Sequence, residues 1–227
     1  MGDTCYIQNY VDHDRSDAAS DFQCGSLIYD THKGTDFGLA SLAAMERGVD
    51  VFVSAPGTVL GVRNDMRDIL CTSDLSGEIN GRDCGNGIVV AHDDGWETQY
   101  CHMREGSVSV FVGDLFESGD VLGQVGLSGR TQFPHVHILV RQSGQTADPF
   151  APDGVIDCGT PAAHTLWAVP IDTPAGGLLS TGFFDSVPDY ADVKAGTAAA
   201  RRACRPLDLR LWSATWRRCY AHDRRAR

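Results

Sequence analysis

Three short stretches hold residue types that could carry metal or hydrolytic chemistry. The first is His135-Val136-His137, followed by the apolar run Ile138-Leu139-Val140. β-Branched and apolar residues favour a buried strand, so the histidines are expected at a strand's start. Pro134 gives up one backbone donor, which suits a strand entry. In a strand, residues i and i+2 share a face, roughly 6.6–6.8 Å apart, so two imidazoles project side by side. Taken alone, the pair reads equally well as two solvated histidines on a surface strand.

The second stretch is His32-Lys33-Gly34-Thr35-Asp36. Histidine and carboxylate are both zinc ligands, and catalytic zinc sites commonly use three protein ligands plus a water. Fully extended, the chain would put His32 and Asp36 roughly 13 Å apart, too far for one ion. Gly34 and Gly38 permit the bend that would bring them together, whereas two glycines so close make a helix a poor alternative. The third stretch, Tyr100-Cys101-His102-Met103, places another histidine at the end of a strand-like run.

The elements around these residues read as β. Helical periodicity is scarce, and short Val, Ile, Leu and Phe runs are broken by Gly, Pro and Asp, the pattern of an all-β fold. Val49–Val62 reads as two strands around a Pro56-Gly57 turn. Gly87–Cys101 reads as a hairpin turning at Asp94-Gly95. Val108–Val112 and Val121–Val125 are further expected strands. The polar stretch 63–85 is a long loop. The organisation expected is a loop-rich segment over 1–31, a site-bearing domain over 32–150, a small β-rich appendage over 151–200 that includes Ala168–Ile171 and Gly182–Phe184, and an Arg-rich, poorly ordered tail over 201–227. No apolar run approaches the roughly 18 residues of a membrane span.

The formal charge of −11 is uneven. The tail carries nine arginines against Asp208 and Asp223, leaving −18 on the remaining residues. So acidic a body excludes nucleic acid as the natural partner, since backbone binding needs a basic surface.

The eight cysteines contain no Cys-x-x-Cys pair, which argues against a zinc ribbon or thioredoxin-type motif. An even, scattered set suggests disulfides and an oxidising compartment. Cys84 and Cys101 flank the hairpin whose turn is near Asp94, so they should lie opposite one another, within bridging reach. Cys5–Cys24 is a second expected staple. The chain opens without a charged n-region or apolar h-region. With the cysteines, this reads as a secreted or periplasmic chain whose signal peptide has been removed.

His32-Lys-Gly-Thr-Asp36, Tyr100-Cys-His102 and Gly126-Leu-Ser-Gly129 leading to Pro134-His-Val-His137 together resemble the motifs of the lysostaphin-like (LytM-type) zinc metallopeptidases. Ala91–Gly95 and Gly119–Gly126 match that family's intervening strands, and the likeness covers about residues 32–150. The resemblance implies a duplicated-hybrid-motif fold, a mainly antiparallel β-sheet with a groove holding one zinc. It implies cleavage of peptide bonds, usually in peptidoglycan stem peptides or cross-bridges. It places zinc on His32, Asp36 and His137, and makes His102 and His135 the catalytic pair. Sequence leaves open which of the two is the base, and the lean here is to His102 as base and His135 as donor. The 63–85 insertion and everything after 150 lie outside the shared pattern. Two other readings stand beside it: a zinc-bound, non-catalytic wall-binding or amidase-activating module, and an endopeptidase acting on Gly-rich proteins.

Other polar residues carry less. Asn86 could line the groove, although a turn position competes. His92 sits by the hairpin turn and reads as structural, His13 and His164 lack partners in sequence, and Tyr100 reads as a packed strand aromatic. Gly126-Leu127-Ser128-Gly129 is not a nucleophile elbow.

Overall fold

The computed structural model describes residues 5–71, 79–155, 157–158, 160, 162–171, 173 and 189–197. An antiparallel sheet dominates it, in the order β1 (Tyr6–Asn9), β2 (Thr35–Gly38), β9 (His135–Gln142), β6 (Trp96–Met103), β5 (Asn86–Ala91), β4 (Gly57–Arg63) and β7 (Leu115–Phe116), with β10 (Gln145–Ala147) also on β9. A two-stranded sheet joins β3 (Asp50–Phe52) to β8 (Val121–Gln124). The fold is mainly β and antiparallel.

Alternation along the strands separates a core from a site face. Val59, Ile88, Val90, Tyr100 and Val136 of the large sheet pack with Val51 and Leu122 of the small one in a single hydrophobic cluster. Residues between them on β2, β9 and β6 therefore face the other way. Two short α-helices and a 3-10 turn at Asp93–Gly95 are also described. α1 (Leu42–Glu46) is capped by Ser41, and α2 (Tyr190–Ala195) by Asp189, with left-handed Gly196 at its end. The two lie close, since a Cβ on Gly196 would fall 2.6 Å from Ser41 Oγ.

Several expectations are corrected. Within the loop-rich residues 1–31 one short strand, Tyr6–Asn9, pairs with β2 through a bulge. Cys24 is bridged to Cys158, 134 residues away, and Cys5 is unbridged among the described residues. Val108–Val112 forms no strand: Asn64 Oδ1 accepts from Val108 N and Asp114 Oδ2 from Phe111 N, so side chains take the place of a ladder neighbour. Among the described residues after 150 there is no strand, and Ala168–Ile171 is irregular, with Pro170 withholding a donor. Gly182–Phe184 and the Arg-rich 201–227 fall outside the described residues.

The long loop after β4 is tied down at its described ends. Asp68 accepts from Leu127 N and Glu105 N. Asn86, fully buried, accepts from Met66 N (2.8 Å) and donates to Met66 O (2.6 Å) and Met103 O (3.2 Å). Its side chain is thus committed to the fold, and it does not line the groove. Removing it would strand buried backbone groups, each at about 1–3 kcal/mol. Asn86→Ala is expected to lower the unfolding free energy by about 2–3 kcal/mol in a denaturant titration.

Candidate metal centre

The site is built on one row of residues running across four strands. Asn9 on β1 pairs with Asp36 on β2, Asp36 with His137 on β9, and His137 with Cys101 on β6. Directly opposed residues hold their Cβ atoms about 4.5–5.5 Å apart, so the row delivers a carboxylate and an imidazole to one point. The β1 bulge between Ile7 and Asn9 brings the Asn9 amide opposite Asp36, where it donates to Oδ2 at 2.9 Å.

His32 reaches the same point from the loop before β2. Gly34 makes the bend. A Cβ there would lie 2.6 Å from His137 Nε2 and 2.6 Å from Ile138 O. Gly38, which also seemed available for bending, instead lies within β2. The result is a triangle: His32 Nε2–Asp36 Oδ1 3.2 Å, His137 Nδ1–Asp36 Oδ1 2.8 Å and His32 Nε2–His137 Nδ1 3.1 Å.

The donor set fits zinc. Bonds of roughly 2.0–2.2 Å at tetrahedral angles separate ligand atoms by roughly 3.3–3.6 Å, close to the spacing of this triangle. Among the described residues, these three make the one group of His, Cys, Asp and Glu side chains able to hold a metal. Outer partners support it. Tyr10 O accepts from His32 Nδ1 at 2.6 Å, which leaves the Nε2 lone pair facing the triangle.

Electrostatics follow from burial. Asp36 is 2% exposed. Burial pushes its carboxyl up, but the contacts with the His137 and His32 rings and the charges of His135 and His137 hold it well below the usual range. Burial pulls His32 down, and the hydrogen bond and charge of Asp36 outweigh it, leaving His32 raised.

His102 and His135 stand beside the triangle, their ring centroids 4.7 Å apart. His135 Nε2 is 3.5 Å from Asp36 Oδ1. Each turns its Nδ1 to a backbone oxygen, His102 to Ser128 O (2.8 Å) and His135 to Phe133 O (2.8 Å). A carbonyl can only accept, so both Nε2 atoms are left as acceptors. Burial, then the neighbouring His135 and His137, push His102 down to about 3. Burial also lowers His135, with Asp36 opposing.

His102 sits where β6 leaves the ladder. Its φ is 61°, a left-handed backbone that costs a non-glycine residue roughly 1–2 kcal/mol. The β5–β6 register shifts between Asn86 and Ile88, and Gly126 takes over the pairing with His135. A bulge of this kind re-aims a side chain. The adjacent Cys101 is bridged to Cys84.

Some contributors left no trace in the sequence reading. Tyr29 packs on His32 at 4.6 Å between centroids, and burial followed by the Asp36 charge pushes its hydroxyl up to about 12. Proximity in sequence to His32 was its only available signal. Asn9, Thr131 and the carbonyls of Tyr10, Phe133 and Ser128 could be found only through tertiary pairing. A cavity of about 300 Å³ opens beside His32 between Asp12, Asp14, Asp30 and Lys33.

The remaining polar side chains serve the fold. His92 bonds Pro56 O and Thr98 Oγ1. His13 pairs with buried Asp148 at 2.8 Å, and His164 pairs with Asp153 at the surface. Buried Tyr100 bonds Ser54. Ser128 Oγ donates to Met103 O and accepts from Asn86 N.

Gly34 provides a test of the close packing. Gly34→Ala forces its methyl into the His137 ring and the Ile138 carbonyl. It is expected to destabilise the protein by about 1–3 kcal/mol and to lower zinc occupancy, read by metal analysis after dialysis.

Residues 30–149, just over half of the chain, match the model of Peptidase family M23. The DD-carboxypeptidase/endopeptidase Mpg of Neisseria meningitidis serogroup B is 37% identical over 65 residues, which are 29% of this chain and 14% of that protein. The cell division protein DipM of Caulobacter vibrioides is 34% identical over 68 residues, 30% of this chain and 11% of that protein. The match thus spans a small part of either relative's length. Among solved structures, the catalytic domain of the prophage-encoded M23 protein EnpA from Enterococcus faecalis is 19% identical with a TM-score of 0.46, covering 69% of this chain and 95% of that one. The catalytic domain of lysostaphin from Staphylococcus simulans is 22% identical with a TM-score of 0.38, covering 52% and 76%. With just over half of its length matched by the family's model, the chain belongs to Peptidase family M23.

Proposed function

We propose that the chain is a zinc-dependent endopeptidase that hydrolyses peptide bonds in peptidoglycan stem peptides or cross-bridges, and that it acts outside the cytoplasm, where its two disulfides persist. The observation that carries this reading is the convergence of His32 Nε2, Asp36 Oδ1 and His137 Nδ1 within 2.8–3.2 Å, beside two further imidazoles. Family membership and the endopeptidase name of the neisserial relative point the same way.

His32, Asp36 and His137 would hold the zinc, which would supply Lewis-acid polarisation of the scissile carbonyl and lower the pKa of the attacking water. The chain's own groups then have two tasks: accepting the water's proton and donating a hydrogen bond to the developing oxyanion. His102 and His135 both start with an acceptor Nε2. The ring that takes the proton becomes a cation, and a nearby carboxylate stabilises that state. Both rings are buried and lowered by burial, but His135 Nε2 lies 3.5 Å from Asp36 Oδ1. This favours His135 as proton acceptor and leaves His102 as its neutral neighbour, the reverse of the leaning drawn from sequence. Asn9 and the Tyr10 carbonyl hold the ligands' outer atoms and so fix the angle at which they present.

Metal content separates the roles. Asp36→Ala and His137→Ala are expected to lose both zinc and hydrolysis. His102→Ala and His135→Ala should each keep one zinc per chain while the rate falls about 10²–10⁴-fold. The assay is a digest of purified peptidoglycan read by mass spectrometry, with and without chelator. Zinc lost from His135→Ala but kept by His137→Ala would exchange those two assignments. A zinc-loaded protein that binds peptidoglycan but releases no fragments would instead support a non-catalytic wall-binding module, and cleavage confined to Gly-rich proteins would move the substrate.

A further inference from the structure

We propose that the Cys84–Cys101 disulfide is a positioning device for His102, so that hydrolysis depends on the bridge being closed while metal binding does not. The inference rests on the hydrolytic site proposed above, in which His102 is one of the two imidazoles beside the metal-ligand triangle. Its warrant is where the bridge sits. Cys101 is the last residue of the cross-strand row, directly opposite His137, and the next residue is His102.

Among the described residues, His102 is the one non-glycine residue inside a strand with a positive φ. Such a backbone persists only where its surroundings impose it. Three hydrogen bonds do so. His102 N donates to Cys84 O (2.8 Å), Gly126 N donates to His102 O (3.0 Å), and the ring's Nδ1 donates to Ser128 O (2.8 Å).

Two of these partners depend on the segment that Cys84 anchors. Cys84 supplies the first directly. Ser128 is wedged against the following residue, since a Cβ on Gly85 would lie 2.3 Å from Ser128 O. The neighbouring Gly129 approaches Asp83 O as closely, at 2.4 Å for its own hypothetical Cβ. Asn86 N donates to Ser128 Oγ and Arg130 N to Asp83 O. Gly87 leaves space for the bridge, because a side chain there would come within 3.1 Å of Cys84 Sγ. The covalent bond therefore fastens to β6 the same segment that fixes both the backbone and the ring of His102. Neither cysteine need touch substrate. The Cys24–Cys158 bridge joins other segments of the chain and has no member in this row.

Opening the bridge requires a reductant, for which a dithiol serves. It delivers two electrons and two protons, Cys84 and Cys101 become thiols, and the dithiol closes to a cyclic disulfide. His32, Asp36 and His137 do not depend on this bond for their approach, so zinc should stay.

The test uses the full chain loaded with zinc, in four forms: wild type, wild type treated with dithiothreitol, Cys84→Ala/Cys101→Ala, and Cys24→Ala/Cys158→Ala as control. Metal analysis, peptidoglycan hydrolysis and nitrogen-15 NMR of the histidine rings are read on each. The dithiothreitol-treated protein and Cys84→Ala/Cys101→Ala should keep one zinc per chain. Their hydrolysis should fall about 10²-fold or more, the scale of a lost proton-transfer or oxyanion group. The His102 ring should lose the resonances of a fixed Nδ1–H. The control should keep rate and resonances while unfolding at a lower temperature. In a His102→Ala background, opening the bridge should change the residual rate by less than about twofold, since coupled residues do not add. An unchanged His102 spectrum and rate on opening would overturn the proposal, as would an equal fractional loss without His102. Should bridged wild type fail to hydrolyse peptidoglycan at all, the functional reading falls, and the His102 spectrum alone decides the positioning claim. Should the alanine pair fail to fold, the folded wild type titrated with dithiothreitol decides it.

Discussion

A buried carboxylate governs this structure. Asp36 is almost wholly removed from water, and an uncompensated charge there would be strongly destabilising. Everything around it supplies compensation. Asn9 covers one oxygen, and His32, His135 and His137 crowd the other. This requirement explains why β1 belongs to the working domain although the motifs begin later in the chain. Without the short strand Tyr6–Asn9, the outer oxygen of Asp36 would lose its amide and His32 would lose the neighbouring Tyr10 carbonyl.

The same arrangement divides ordered from strained backbone. Asp36 and His137 sit within a regular ladder, where pairing fixes their separation. Their positions follow from strand geometry alone. His102 is held differently, at the point where β6 departs from β9 and Gly126 replaces it. Two of the three candidate ligands, Asp36 and His137, thus ride on a regular ladder, whereas His102 is aimed by a bulge. The orientation of three rings is then fixed by backbone carbonyls of Tyr10, Ser128 and Phe133, each from a segment remote from its histidine or bent back upon it.

The sequence revealed local features and hid those made by distant pairing. The strand bearing His135-Val136-His137 was legible from the apolar run beside it, although the pair alone did not separate a site from a solvated face, and the bend at Gly34 because two potential ligands four apart demand one. The Cys84–Cys101 approach could be inferred because a single hairpin connects the two cysteines. The partner of Cys24 could not, since 134 residues intervene and no local rule spans them. The run Val108–Val112 misled for a related reason: its alternation is real, with Val108 and Val110 buried and Phe111 exposed, but Asn64 and Asp114 take the bonds a neighbouring strand would have offered. Alternation reports which side faces the core, and only a partner makes a strand.

Asn86 shows how a polar residue near a site can be claimed by the fold instead. From sequence it was available to line the groove. In the structure its amide satisfies three backbone groups on two segments, and its own N–H binds Ser128 Oγ. Ser128 in turn presents its carbonyl to His102. Asn86 therefore lies two hydrogen bonds from the ring it might have stood beside. A polar group sealed from water must spend its hydrogen-bonding capacity on the protein, and both donors of this amide are taken by backbone carbonyls. The histidine at the end of that chain is aimed by residues that never face the groove. Such residues carry no signature of their own in sequence, because a buried asparagine and a groove-lining one are the same letter until the backbone they satisfy has been placed.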